Sequence, residues 1–209
     1  MTDTPTSALY QPERKTVILR FGRDSDPRNG EYYVRGGICW PVAVRTSDGK
    51  SAVGHAVLVG FNLQTKRYTV FEDTSFVCVD PIVESGKVTF EGVASWFNTC
   101  WAQYFCRYWY FHQEEITHRM FLMQVIRSQM IDPKPSFIEI PWQDESAVAP
   151  VVFWLVATKR VKLTSSVIIG QGQQYQMTLG ASELSLYPAV YALTCALVAL
   201  ERWPWRDRG

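Results

Sequence analysis

The chain has 209 residues, a formal charge of +1, and 47% hydrophobic against 20% charged residues, with 8 Trp, 10 Tyr and 11 Phe. That composition describes a folded protein with a large core and excludes a disordered chain. The near-neutral charge excludes a whole-molecule field for nucleic acid or an anionic membrane, so binding to either needs a local patch.

Residues 1–13 (MTDTPTSALYQPE) are polar and carry two prolines, which reads as a flexible leader ahead of a single domain over 14–209. Thr16 to Phe21 is a short apolar strand. The cluster Asp24 to Gly30 ends in Asn-Gly, a pair suited to a hairpin turn. A strand over Glu31 to Val44 follows, with Gly36-Gly37 marking a bulge or a close backbone approach. Ala52 to Phe61 and Arg67 to Val79 are further β-rich runs, joined by a loop of hairpin length at Asn62 to Lys66. Lys87 to Phe90 offers a short edge strand.

From Val93 the period changes. Trp96, Phe97, Cys100, Trp101, Tyr104, Phe105, Tyr108 and Phe111 recur at three and four residues, which predicts one long helix running through Ile126, with a break near His112, to the stop at Asp132-Pro-Lys-Pro135. Ser136 to Trp142 is then a strand, Glu145 to Lys159 a helix, Arg160 to Ile169 a strand, Gly170 to Gly180 a polar loop, and Pro188 to Arg202 a helix with Pro in its first turn. The apolar stretch Leu184 to Leu200 contains Pro188 and is shorter than a bilayer crossing, so no membrane association is expected.

An antiparallel meander followed by helix, strand, helix, strand, helix resembles the ribonuclease H-like superfamily, RuvC-type resolvases included, over about residues 31–203. The resemblance implies an α/β mixed sheet and nucleic-acid processing or binding. It also implies two magnesium or manganese ions held by acids at strand ends and on the last helix, because in-line attack on a phosphodiester needs both oxygens stabilised. Glu139, in Phe137-Ile-Glu-Ile-Pro-Trp142, matches the acid of the fourth strand, and Glu183, ahead of the last helix, matches the final one. The first strand of the pattern carries an aspartate, whereas Tyr32 to Trp40 has none, so Asp73 is the nearest replacement.

A rival reading uses other residues. Gly54-His-Ala-Val-Leu-Val-Gly-Phe61 with Tyr68 to Phe76 looks like the histidine and acid strands of papain-like cysteine hydrolases, and Thr99-Cys-Trp-Ala102 resembles their nucleophile segment. The chain order makes any such member circularly permuted. Cys100 would supply the thiolate, His55 the base, and Asp73 would orient the imidazole. The apolar stripe instead puts Cys100 two turns inside a helix, where a thiol is inert.

His112 and His118 are not at ligand spacing for zinc, and Gly170-Gln-Gly172 lacks a dinucleotide fingerprint. Arg107, Arg119, Arg127, Lys159, Arg160, Lys162 and the tail 202–208 mix cations with aromatics, as surfaces for single-stranded nucleic acid or a protein partner do. Five cysteines, irregularly spaced and without a CxxC pair, fit free thiols in a reducing, cytoplasmic setting. Whether the chain is an enzyme stays open: a nuclease, a thiol hydrolase and a non-catalytic interaction protein are the three alternatives.

Overall fold

The structure, a computed structural model, describes residues 5, 7–11, 16–22, 29–42, 51–79, 91–111, 134–140, 157–177 and 184–202. Five long or medium strands come first: β1 (Ser7–Gln11), β2 (Thr16–Phe21), β3 (Gly30–Val42), β4 (Ser51–Asn62) and β5 (Tyr68–Val79). Then come α1 (Glu91–Tyr104), β6 (Tyr108–Phe111), β7 (Ser136–Glu139), β8 (Val161–Lys162), α2 (Ser166–Met177), a 3-10 turn at Leu184–Leu186, and α3 (Pro188–Arg202).

The strands form one sheet in the order β1-β2-β3-β4-β5-β8. β1 to β5 pair antiparallel, β6 adds parallel to β3, β7 parallel to β6, and β8 parallel to β5. The protein is thus a mixed α/β fold, and the path β5-β4-β3-β6-β7, antiparallel and then parallel, has ribonuclease H-like order.

Side chains alternate between the two faces of each strand. On one face Val57, Val59, Tyr68, Val70 and Tyr110 pack under α3. On the other, Val17, Leu19, Ala56, Leu58 and Trp109 pack with Phe97 and Cys100 of α1. α3 is buried at every position from Pro188 to Leu200, a stretch with no charged residue, as an element apolar on all sides must be. It lies close against β3. A Cβ built on Gly37 would stand 1.9 Å from the Ala192 carbonyl oxygen and 2.7 Å from the Ala196 nitrogen, so Gly36-Gly37 does mark a close backbone approach.

Four sequence expectations need correction. The helix from Val93 ends at Tyr104, because Phe105 takes φ 51 and donates its N–H back to the Trp101 carbonyl at 2.8 Å. Tyr108 to Phe111 is a strand with every side chain buried: Tyr108 and Tyr110 face α3, Trp109 and Phe111 face α1. A strand covered on both faces reads as a continuous apolar run, which a helical period also fits.

The second correction concerns the strand expected over Arg160 to Ile169, which is only Val161–Lys162. The third follows from it, since the expected loop from Gly170 is α2 as far as Met177. Ser165 switches the chain from one to the other, its Oγ accepting the Ile168 N–H at 3.3 Å as an N-cap. Fourth, Ser7–Gln11, inside the expected leader, pairs with β2. The expected strand at Lys87 to Phe90, the His112 and His118 positions and most of the Glu145 helix lie outside the described residues.

Candidate functional site

β5 carries one residue more than β4 in the middle of their pairing: Leu58 pairs with Glu72, but Val59 pairs with Val70, leaving Phe71 as the extra residue of a β-bulge. The bulge changes which face each later residue takes. Tyr68 and Val70 face α3, Phe71 and Glu72 face α1, where they meet Tyr104, and Asp73 again faces α3.

There Asp73 meets His55 of β4. The His55 Nε2 and Asp73 Oδ2 atoms are 3.1 Å apart, with the ring 1% and the carboxyl 22% exposed. The approach is oblique, so the two meet at ion-pair distance without a well-aimed hydrogen bond. The other ring nitrogen, Nδ1, lies 2.8 Å from the Oγ of Ser75, an exposed residue that pairs with His55 across the two strands. Ser165 donates its hydroxyl to Asp73 Oδ2 at 2.7 Å and caps α2 with the same oxygen.

The His55 contact holds the Asp73 carboxyl below its ordinary range. Burial pushes the other way, and the Ser165 hydroxyl adds to the lowering. A carboxylate only accepts, so the tautomer that serves Asp73 is the one with the ring hydrogen on Nε2. In that neutral tautomer Nδ1 accepts a hydrogen bond from the Ser75 hydroxyl. Two members of this cluster, His55 and Asp73, are sequence candidates. Ser75 and Ser165 are not, although the i, i+2 spacing of Asp73 and Ser75 and the Ser-Ser pair before an apolar run both signal them.

Cys100 does not join them. It sits on α1, 1% exposed, packed with Ala56 and Leu58 on the face opposite His55, and burial pushes its thiol well above the ordinary range. The cysteine-hydrolase set of Cys100, His55 and Asp73 is therefore divided by the sheet. Cys106, also buried, is pushed up to about 12.

Nor does the sheet gather the proposed metal ligands. The strand that follows α1 and pairs with β3 is β6, which has no acid, so the fourth-strand position falls on Tyr108–Phe111 and not on Glu139. Glu139 is the exposed last residue of β7, one strand further out. Four strand spacings separate β7 from β5, which places Glu139 and Asp73 roughly 19 Å apart across the sheet. Glu183 lies outside the described residues.

Where β3, β6 and α3 meet, the structure places Arg35. The residue is 2% exposed, and its guanidinium donates to the Ala199 carbonyl and lies 5.3 Å from the Tyr110 ring centroid. Burial lowers its pKa, and burial pushes Tyr110 up to about 12. A buried guanidinium repels the divalent ions that the resemblance implies, and among the described residues no three His, Cys, Asp or Glu side chains converge. The described residues at this junction do not fit a magnesium or manganese pair.

A different charge pattern occupies the β5–β8 edge. Lys66 and Arg67 in the β4–β5 turn lie beside Lys159, Arg160 and Lys162, because Tyr68 pairs with Val161, Thr69 with Lys162, and the Tyr68 N–H donates to the Arg160 carbonyl at 2.7 Å. Lys66 Nζ lies 5.9 Å from the Phe61 ring, and Arg160 lies 5.9 Å from Tyr68. The sequence has no Asp or Glu from Gly49 to Phe71 or from Ser146 to Ser182. Among the described residues no helix is long and apolar enough to cross a membrane.

No family model matches the chain, and no curated protein matches it. Among solved structures it is similar to the fowlpox virus Holliday junction resolvase, at 7% identity and a TM-score of 0.43, over 80% of this chain and 98% of that one. It is also similar to the fowlpox virus resolvase bound to its substrate Holliday junction DNA, at 6% identity and a TM-score of 0.39, over 80% and 97% of the two chains.

Proposed function

We propose that this ribonuclease H-like sheet binds nucleic acid along its basic β5–β8 edge and does not carry out two-metal cleavage at the junction of β3, β6 and α3. The observation that carries the reading is the meeting of Lys66, Arg67, Lys159, Arg160 and Lys162 from two segments, in sequence free of acids, on a protein whose net charge is only +1. Phosphate contacts of this kind supply sequence-independent affinity through release of counterions.

The backbone adds support. Lys66 and Lys159 both take φ 56, a left-handed conformation that costs a side-chain-bearing residue about 1–2 kcal/mol and glycine almost nothing. Both positions nonetheless present a cation to solvent. On the opposite face of the question, Arg35 gives the junction a positive charge where metal chemistry needs carboxylates.

Fluorescence anisotropy of labelled single-stranded, duplex and branched oligonucleotides is the direct test. The variant carrying Lys66→Glu, Arg67→Glu, Lys159→Glu and Lys162→Glu should bind at least tenfold more weakly than the parent protein. Equal affinity of the two proteins would remove the basic edge from any role in binding.

A further inference from the structure

We propose that Ser75, His55 and Asp73 form a second site, a hydroxyl-activating relay with Ser75 as nucleophile, that hydrolyses neutral carboxylic esters. The three side chains lie in series, Ser75 Oγ 2.8 Å from His55 Nδ1 and His55 Nε2 3.1 Å from Asp73 Oδ2. Their exposure follows the roles. Ser75 is open to solvent, Asp73 is partly covered, and the ring between them is buried, where its charge in the transition state depends on the carboxylate.

The site is built on regular elements. His55 and Ser75 are partners across β4 and β5, and the bulge at Phe71 brings Asp73 to the same face. Ser165 then holds Asp73 from the first turn of α2. This anchoring holds the Asp73 carboxylate beside the ring, which a relay requires and a loop seldom supplies. The ring nitrogens have exchanged roles relative to the best-known serine triads, with Nδ1 toward the hydroxyl. The chemistry needs only that one nitrogen face the nucleophile and the other the acid.

The steps balance. Ser75 Oγ bonds to the acyl carbon while its proton passes to His55 Nδ1. The ester C–O bond then breaks, and the departing alkoxide takes that proton as the alcohol. Water next bonds to the acyl carbon, giving a proton to Nδ1, and the Ser75 C–O bond breaks as Oγ recovers it. Ester and water become acid and alcohol without redox change. A neutral ester is the class favoured, because the Asp73 carboxylate beside the site repels an anionic phosphodiester. The relay does not depend on the nucleic-acid reading.

The test is labelling by a fluorophosphonate probe together with turnover of p-nitrophenyl acetate. The wild-type protein should be labelled once, at Ser75 by peptide mass, and both rates should fall at least tenfold in Ser75→Ala and in Asp73→Asn. Ser75 is exposed, so its variant should keep the native circular dichroism and the native oligonucleotide affinity. Labelling that is absent, lies at another residue, or proceeds equally in Ser75→Ala would reduce the cluster to a structural clip between β4, β5 and α2.

Discussion

His55 and Asp73 stand on neighbouring strands at 3.1 Å only because Phe71 is an extra residue in β5; strict alternation from Val70 would turn Asp73 toward α1. The contact lowers the carboxyl pKa in the folded protein. A group lowered in this way contributes stability above its unfolded value, about 3.9 for aspartate, and that contribution is lost as pH falls through the folded value. Asp73→Asn should therefore cost about 1 kcal/mol at pH 7 and less with increasing acidity, measured by urea unfolding from pH 7 to pH 3.

Gly37 has no room for a methyl group. The atoms in the way belong to the α3 main chain at Ala192 and Ala196, which cannot rotate aside as a side chain would. Gly37→Ala should lower stability by about 3 kcal/mol, the upper end of ordinary overpacking, seen as a drop in the urea midpoint. At Gly36 a Cβ would instead meet the Trp109 ring at 2.0 Å, so the same substitution there should loosen the α1 face.

Arg35 at the β3, β6 and α3 junction predicts indifference to divalent ions. EDTA should leave oligonucleotide binding and the thermal midpoint of the protein unchanged, and millimolar Mn2+ should raise neither. Arg35→Ala should cost about 2 kcal/mol, because the Ala199 carbonyl loses a charged donor and the Tyr110 ring loses its cation. A calorimetric scan with and without metal checks the first expectation, and urea unfolding checks the second.

Each cation of the basic edge that touches a phosphate should reduce the salt dependence when removed. Lys162→Ala should change the slope of log K against log salt by about 0.7–0.9 without altering preference among sequences. Lys66→Gly separates the two roles of that residue: stability should rise by about 1 kcal/mol as left-handed strain is relieved, while binding weakens.

The thiols should be silent in the native state. Cys39, Cys100, Cys106 and Cys195 are all buried, and Cys100 and Cys106 titrate far above neutrality. In a Cys78→Ser background, Ellman's reagent at pH 8 should find no thiol before denaturant is added and four afterwards.

The strands β2 to β5 were legible because turn residues punctuate apolar runs. The end of α1 was not, because Tyr108–Phe111 is apolar at every position and carries no period of its own. α2 was hidden by its Gly and Gln content, Ser165 being its one local signal. At the candidate site His55 and Asp73 could be nominated one by one, but their third partner could not. Cys100 and Ser75 both lie within reach in sequence, and only the faces of the sheet and the bulge at Phe71 exclude the first and admit the second. The same holds for Glu139, whose place at the margin depends on β6 having taken the position beside β3.

Arg35 and the Ala199 carbonyl that accepts its hydrogen bond are 164 residues apart. Every described strand is synthesised before α3, so the nascent sheet carries an uncovered apolar face, with Arg35 in it still open to water, until α3 has docked. Such long-range closure makes for slow maturation and exposure to aggregation along the way. A chain cut before α3 should accumulate as insoluble material, and chaperone demand during synthesis should fall sharply once the last helix has emerged.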